Sequence, residues 1–289
     1  MLRFVWIIGL AATALACSNG DPESPTGPGP LPQPNSSIFY TAIGASDAVG
    51  VGSSLPCIPY TECPDGRGYV QLATRDLKAR GFTVHLNNLG FPAHVLSRRL
   101  QDLGSQYGRT MTGNFIQLQA PFVMSDTTFV TIFAGANDVD TIVAALGGGA
   151  GGSDQPAYIN AQIDAFGQEF ATLINLVRDR APSARIVVVN LPNMAGIPRN
   201  LPFPIQQRRA QQLLSVGIST RAINTHTSSG IVVVDLLCDA RSYQSATYSA
   251  DGFHPSDSGY AWMAAEIVAA ATTSYRAPAS NCSQTTIVQ

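Results

Sequence analysis

Five short runs rich in aromatic and β-branched residues punctuate the chain, at 39–43, 83–88, 129–134, 185–190 and 231–235. Most are nearly continuous apolar runs rather than alternating ones, which marks strands buried on both faces. Stretches with apolar residues at helical spacing lie between them, at 69–80, 93–103, 159–180 and 205–226, and a last one at 256–274 follows the fifth run. Strands that alternate with helices in this way form a parallel sheet covered on both faces. Right-handed crossovers then bring every strand C-terminus to one edge. In open α/β sheets that edge is where ligands and reacting groups gather.

Three of the runs end in glycine and small polar residues. The first leads into Gly44-Ala45-Ser46-Asp47, the second into Asn87-Asn88-Leu89-Gly90, and the third into Gly135-Ala136-Asn137-Asp138. Ser46 is the candidate nucleophile, although Gly-x-Ser-Asp is also ordinary turn chemistry in which Ser and Asp cap the next segment. Near the other end, Asp251-Gly252-Phe253-His254-Pro255 stands just before the terminal helical stretch. Asp and His three apart can face one side. Asp251 then holds the Nδ1 proton of His254 while Nε2 faces a nucleophile; in the bland alternative Asp251 is only a helix cap and His254 a surface residue. The remaining histidines read as structural: His85 within a strand, His94 opening a helix, and His226 near a helix end where the dipole favours it. The loops after Ser46 and after Asn137 are expected to wall a pocket. The glycine-rich segment 147–152 cannot settle into one conformation without a large entropic cost.

Before the first strand, residues 1–16 carry an early arginine and then an apolar run, which reads as a secretory signal too short to span a membrane. The sequence Thr13-Ala14-Leu15-Ala16-Cys17 resembles a bacterial lipoprotein cleavage site, with Cys17 as the lipidated residue. Because Ala14 stands where such sites usually carry leucine, a soluble exported form is the alternative. Six prolines with Gly, Ser and Asn then make residues 17–37 a tether. Residues 38–289, about 250 residues, suit one domain with a single sizeable core. With Cys17 set aside, four cysteines remain, for which three connectivities exist. Their spacing favours Cys57 with Cys63 and Cys238 with Cys282, as expected of a chain made in an oxidising compartment.

Composition excludes several functions. The net charge is −2 and the 17 basic residues are scattered, so nothing marks a nucleic-acid surface. The single lysine, Lys78, lies in a helical pattern, which argues against Schiff-base chemistry. The acids and histidines form no dedicated set of the kind catalytic zinc requires. No metal or cofactor is expected.

Taken in order, Gly44-Ala45-Ser46-Asp47, Asn88-Leu89-Gly90, Gly135-Ala136-Asn137-Asp138 and Asp251-Gly252-Phe253-His254-Pro255 resemble the four blocks of the SGNH (GDSL-type) serine ester hydrolases. The resemblance implies a flavodoxin-like three-layer α/β/α sandwich with a central parallel sheet. It implies Ser46 as nucleophile, His254 as base and Asp251 as its orienter, with an oxyanion hole from the Ser46 and Gly90 N–H groups and the Asn137 amide. Two departures stand out. Ala45 replaces the usual acidic residue before the serine while Asp47 follows it, and Pro92, Ala93 and His94 occupy the place of a second glycine after Gly90. The expected protein is a monomer acting on small-molecule, polysaccharide or lipid esters, touching a membrane only through its lipid anchor. An acyltransferase with the same triad and a non-catalytic carbohydrate-binding surface protein are the alternatives. An α/β-hydrolase elbow needs Gly-x-Ser-x-Gly, and here the fifth residue is Ala48.

Overall fold

β1 (Ser37–Gly44) is buried along nearly its whole length, because it takes a central position with neighbours on both sides. The computed structural model describes residues 28–273, 277–279 and 281–289, so the leader, Cys17 and the tether up to residue 27 lie outside the described residues. From β1 the chain passes through α1 (Tyr69–Ala79), β2 (Thr83–Asn88), the two-residue β3 (His94–Val95), α2 (Arg98–Gln106), the two-residue β4 (Gly113–Asn114) and α3 (Phe115–Leu118). It continues through β5 (Phe129–Phe133), α4 (Ala136–Gly147), α5 (Gln155–Arg180), β6 (Arg185–Val189), α6 (Ile205–Gly217), β7 (Val232–Val234) and α7 (Asp257–Thr272).

The main sheet has the order β2-β1-β5-β6-β7 and every pairing is parallel. β5 and β6 are mainly apolar and buried at every residue, whereas the edge strand β2 is largely exposed. From β1 the chain moves one way to β2 and then reverses past β1 to β5. With right-handed crossovers, the helices of the two directions fall on opposite faces. Consistent with this, α1 packs on α7, while α2, α4, α5 and α6 pack among themselves. The reversal leaves a crevice beyond the C-terminal ends of β1 and β5, the switch point at which such sheets bind ligands.

Element boundaries depart from the sequence expectation in three informative places. Residues 94 and 95 are not helical: they pair with Gly113 and Asn114 in a small parallel sheet, and α2 begins only after Ser97, whose Oγ accepts from Leu100 N at 3.3 Å. The segment after Asn137 is not a loop but α4, a helix buried on nearly every side and therefore without the polar face that periodicity detects. The helix expected over 205–226 ends as α6 at Gly217 and continues as a wider turn at Ile218–Ile223 and tight turns at Asn224–Ser229. At the start of the domain, the carbonyl of Gly29 accepts from the Arg185 guanidinium at 2.9 Å, so the end of the expected tether lies along the sheet.

Candidate active site

Ser46 follows β1 at the first position of a tight turn, Ser46–Val49, and is 6% exposed. Its Oγ lies 2.9 Å from His254 Nε2. His254 Nδ1 in turn lies 2.6 Å from Asp251 Oδ2. The other carboxylate oxygen, Oδ1, accepts from Phe253 N at 2.8 Å, His254 N at 2.9 Å and Ser249 Oγ at 2.9 Å. Partial burial works to raise the Asp251 pKa, but these hydrogen bonds, that of the His254 ring first, hold it down at about 2. A carboxylate only accepts, so Nδ1 carries the imidazole proton and Nε2 is left to accept from the serine hydroxyl. The cap of α7 is Ser256, whose Oγ accepts from Gly259 N at 3.2 Å, so the helix-cap alternative for Asp251 falls away. Behind the loop, the Arg199 guanidinium sits 3.8 Å from the Phe253 ring centroid, and Arg199 N donates to Gly252 O at 2.9 Å.

The second half of the site is organised around three expected donors. The turn leaves the Ser46 N–H with no acceptor among the described residues. Gly90 N, by contrast, donates to Asn88 Oδ1 at 3.0 Å, and Asn88 Nδ2 donates to Ala48 O at 2.8 Å. The Asn88 side chain thereby ties the Gly90 loop to the turn of the serine. Only glycine fits at 90, since a Cβ there would lie 2.5 Å from the Ala48 Cβ. Asn137, on the first turn of α4, donates from Nδ2 to His94 O at 3.0 Å, which uses one of its two amide hydrogens. The chain reaches α4 through Gly135 at φ 117°, a conformation that a side chain would strain.

His94, expected to open a helix, belongs instead to this constellation. Its Nδ1 lies 2.8 Å from Gln119 Nε2, and the same nitrogen donates to Gly44 O at 2.9 Å while Gln119 Oε1 accepts from Gly44 N at 3.0 Å. Gln119 is fully buried, and both its amide hydrogens are then used. Nδ1 is therefore the acceptor and the His94 proton sits on Nε2; burial lowers the ring's pKa to about 4, so it is neutral at ordinary pH. Gln119 and His94 thus link the end of β1 beneath Ser46 to the carbonyl that holds Asn137. Neither residue announces this in sequence, because the contacts join positions 25 and 75 residues apart. Of the other histidines, His85 is exposed and stacks on Phe39, and His226 lies in the last turn of the segment Asn224–Ser229, where burial lowers its pKa.

Space next to the serine is small. A hollow of about 10 Å³ lies among Ala45, His94, Asn137 and Phe253, and an apolar cleft of about 40 Å³ runs beneath Asp47, Tyr248 and Phe253. The end of β5, the first turn of α4 and Phe253 wall both, and residues 191–197 after β6 and Tyr248 after β7 add to the cleft; after Asn137 there is helix rather than a loop. Asp47 borders both, and burial raises its pKa. Disulfides join Cys57 to Cys63 and Cys238 to Cys282, with Cα atoms 5.8 and 5.7 Å apart.

The profile of the GDSL-like Lipase/Acylhydrolase family matches residues 42–262, a span that contains Ser46, Gly90, Asn137, Asp251 and His254. No curated protein sequence matches the chain. Among solved structures, a lipase from a goat rumen metagenome superposes with a TM-score of 0.55 at 19% identity, covering 82% of this chain and 98% of the lipase. An extracellular lipase from Streptomyces rimosus superposes with a TM-score of 0.52, also at 19% identity, covering 82% of this chain and 100% of that one. At such identities these likenesses establish the α/β fold.

Proposed function

The chain belongs to the GDSL-like lipase/acylhydrolase family, whose members are hydrolases acting on esters, and we propose that this one is an exported serine hydrolase of short acyl esters working through an acyl-enzyme on Ser46. The observation that carries the reading is the continuous relay Ser46 Oγ, His254 Nε2, His254 Nδ1, Asp251 Oδ2, at 2.9 and 2.6 Å. In the first half-reaction the Ser46 proton passes to Nε2 as Oγ bonds to the ester carbonyl carbon. The carbonyl oxygen becomes an oxyanion, met by the Ser46 N–H and the second Asn137 amide hydrogen. Collapse breaks the bond to the alcohol oxygen, which leaves with the proton from Nε2. A water then gives its proton to Nε2 and attacks the acyl carbon, and the serine recovers its proton as the carboxylic acid departs.

The small hollows support a short acyl group, since 10 Å³ is about the room one water needs. Disulfides support export, because such bonds persist in oxidising compartments. The leader and Cys17 then serve as export signal and lipid anchor, or as a signal alone if Cys17 is not lipidated. A panel of 4-nitrophenyl esters graded from acetate to palmitate tests the acyl preference: kcat/KM is expected to fall at least tenfold between butyrate and octanoate. A maximum at long chains would refute the short-acyl reading.

A further inference from the structure

A larger feature lies next to the site and takes no part in the chemistry above: a groove of about 540 Å³ between α4 and α6, within the range of small-ligand pockets. We propose that this groove binds the alcohol half of the ester and that this half is an acidic sugar, a hydroxyl-bearing ring that also carries a carboxylate. The proposal takes its chemistry from the serine hydrolase reading, but the binding it describes stands apart from that reading.

Two features place the groove near the reacting centre. Asp140 in its wall and Asn137 stand three apart on α4, so they share a helix face about one turn apart. Arg199, another wall residue, lies over the ring of Phe253, the residue preceding His254. In the proposal, a leaving group extends from a carbonyl held between Ser46 and Asn137 along this face of α4 to the groove.

The lining sets the chemistry. Two guanidinium groups face one carboxylate. Asp140 accepts from Arg199 through both oxygens, at 2.8 and 2.9 Å, while Arg109 comes no closer to it than 3.8 Å. One positive charge is in surplus, and the buried Nε of Arg109 has no hydrogen-bond partner among the described residues. The Arg109 side chain is 33% exposed, and a ligand carboxylate matches the planar fork of an arginine. On the opposite wall, Gln211 is 1% exposed and its Oε1 also lacks a partner among the described residues. In the proposal, the Gln211 amide turns toward the groove and that oxygen accepts from a sugar hydroxyl. Phe203 adds an apolar face against which the C–H side of a ring can lie. A hydrocarbon tail would leave all these polar groups unpaired.

The test compares an acetylated polygalacturonate with a neutral acetylated mannan and with 4-nitrophenyl acetate, whose leaving group carries neither carboxylate nor sugar ring. The wild-type protein is expected to favour the acidic polymer by at least tenfold in kcat/KM. Arg109→Gln should erase that preference and leave 4-nitrophenyl acetate within twofold. Calorimetry with unacetylated trigalacturonate on the Ser46→Ala protein reads the groove without chemistry, and the affinity should fall at least tenfold with either Arg109→Gln or Gln211→Leu. The second substitution covers the case in which the first fails to fold. No preference between the polymers, trigalacturonate binding indifferent to both substitutions, or occupancy by anionic phospholipid vesicles instead overturns the proposal. Should 4-nitrophenyl acetate not be hydrolysed at all, the serine hydrolase reading is what fails, and the calorimetry still decides the groove.

Discussion

The two halves of the site are prepared to different degrees. On the base side, the Asp251–His254 loop is complete: one carboxylate gathers four hydrogen bonds, fixes the imidazole tautomer and leaves Nε2 on the serine. On the acceptor side, the Gly90 N–H is already given to Asn88 and one Asn137 hydrogen to His94. A free Gly90 N–H was expected from the family resemblance, and here it has an occupant. On the proposed reading, the donors left unengaged in the resting protein are the Ser46 N–H and one hydrogen of Asn137. The proposed mechanism thus finds the contacts that activate the nucleophile already made, whereas its stabilisation of the developing charge would rest on fewer donors, beside the buried side chains of His94, Gln119 and Asp138.

If that division is right, the base side should show the largest effects. Ser46→Ala should lower kcat on 4-nitrophenyl acetate by a factor on the order of 10⁴–10⁶, with an unchanged far-ultraviolet circular dichroism spectrum and melting temperature. Retention of a few per cent of activity would remove Ser46 from the chemistry. Asp251→Asn keeps the shape of the loop but replaces the acceptor that fixes Nδ1–H, so kcat should fall by about 10³–10⁴. Because the Asp251 carboxyl is held down at about 2, it stays ionised well into the acid range. The acid limb of the wild-type kcat/KM profile should then not follow Asp251, and a limb that vanishes in the Asn variant would show the opposite.

The base side was also the more legible half in sequence. Ser46, Asp251 and His254 sit in short segments whose chemistry is local: a strand end with small polar residues, and an Asp three residues before a His. The parallel sheet was legible for the same reason, since continuous apolar runs and their spacing carry it. The acceptor side depends on distant pairings. His94 pairs with Gly113 and is bound by Gln119, contacts that no periodicity reports. α4 escaped because a helix covered on all sides has no polar stripe. That Asn88 occupies the Gly90 N–H depends on a loop geometry that composition does not reveal.

Asn137 comes next in size. Its Ala variant removes a donor that matters mainly in the transition state, so kcat should fall about 10²- to 10³-fold with KM nearly unchanged. Asn137→Asp should be at least as damaging, since it replaces a donor with an acceptor and sets a negative charge beside a developing one. A residue needed only for the start of α4 would tolerate Asp, which is as good as Asn in such turns. An Asp variant with wild-type kcat would therefore break the comparison, because the acceptor side would then have lost its main side-chain donor without consequence.

The smallest effect on activity, and the sharpest on stability, is expected at Asp138. This residue is fully buried one position after Asn137; Oδ1 accepts from Leu96 N at 2.8 Å and Oδ2 has no partner among the described residues. Burial raises its pKa from 3.8 to about 7, with the nearby Glu169 adding to the shift and Arg99 and the Leu96 N–H opposing it. Here the folded value lies above the unfolded one, so the protonated side chain favours folding. The contribution is whole below about pH 4 and is lost as pH rises through about 7. The interval corresponds to roughly 4 kcal/mol at most. Asp138→Asn mimics the protonated form, keeps the acceptor for Leu96 N and does not titrate. Relative to the wild type, it should gain a few kcal/mol of unfolding free energy between pH 4 and pH 8, while kcat at pH 6 stays within about threefold. Urea unfolding of both proteins across that range decides the matter: parallel stability curves would mean that the carboxyl does not titrate there and that the scaffold under Asn137 carries no such strain.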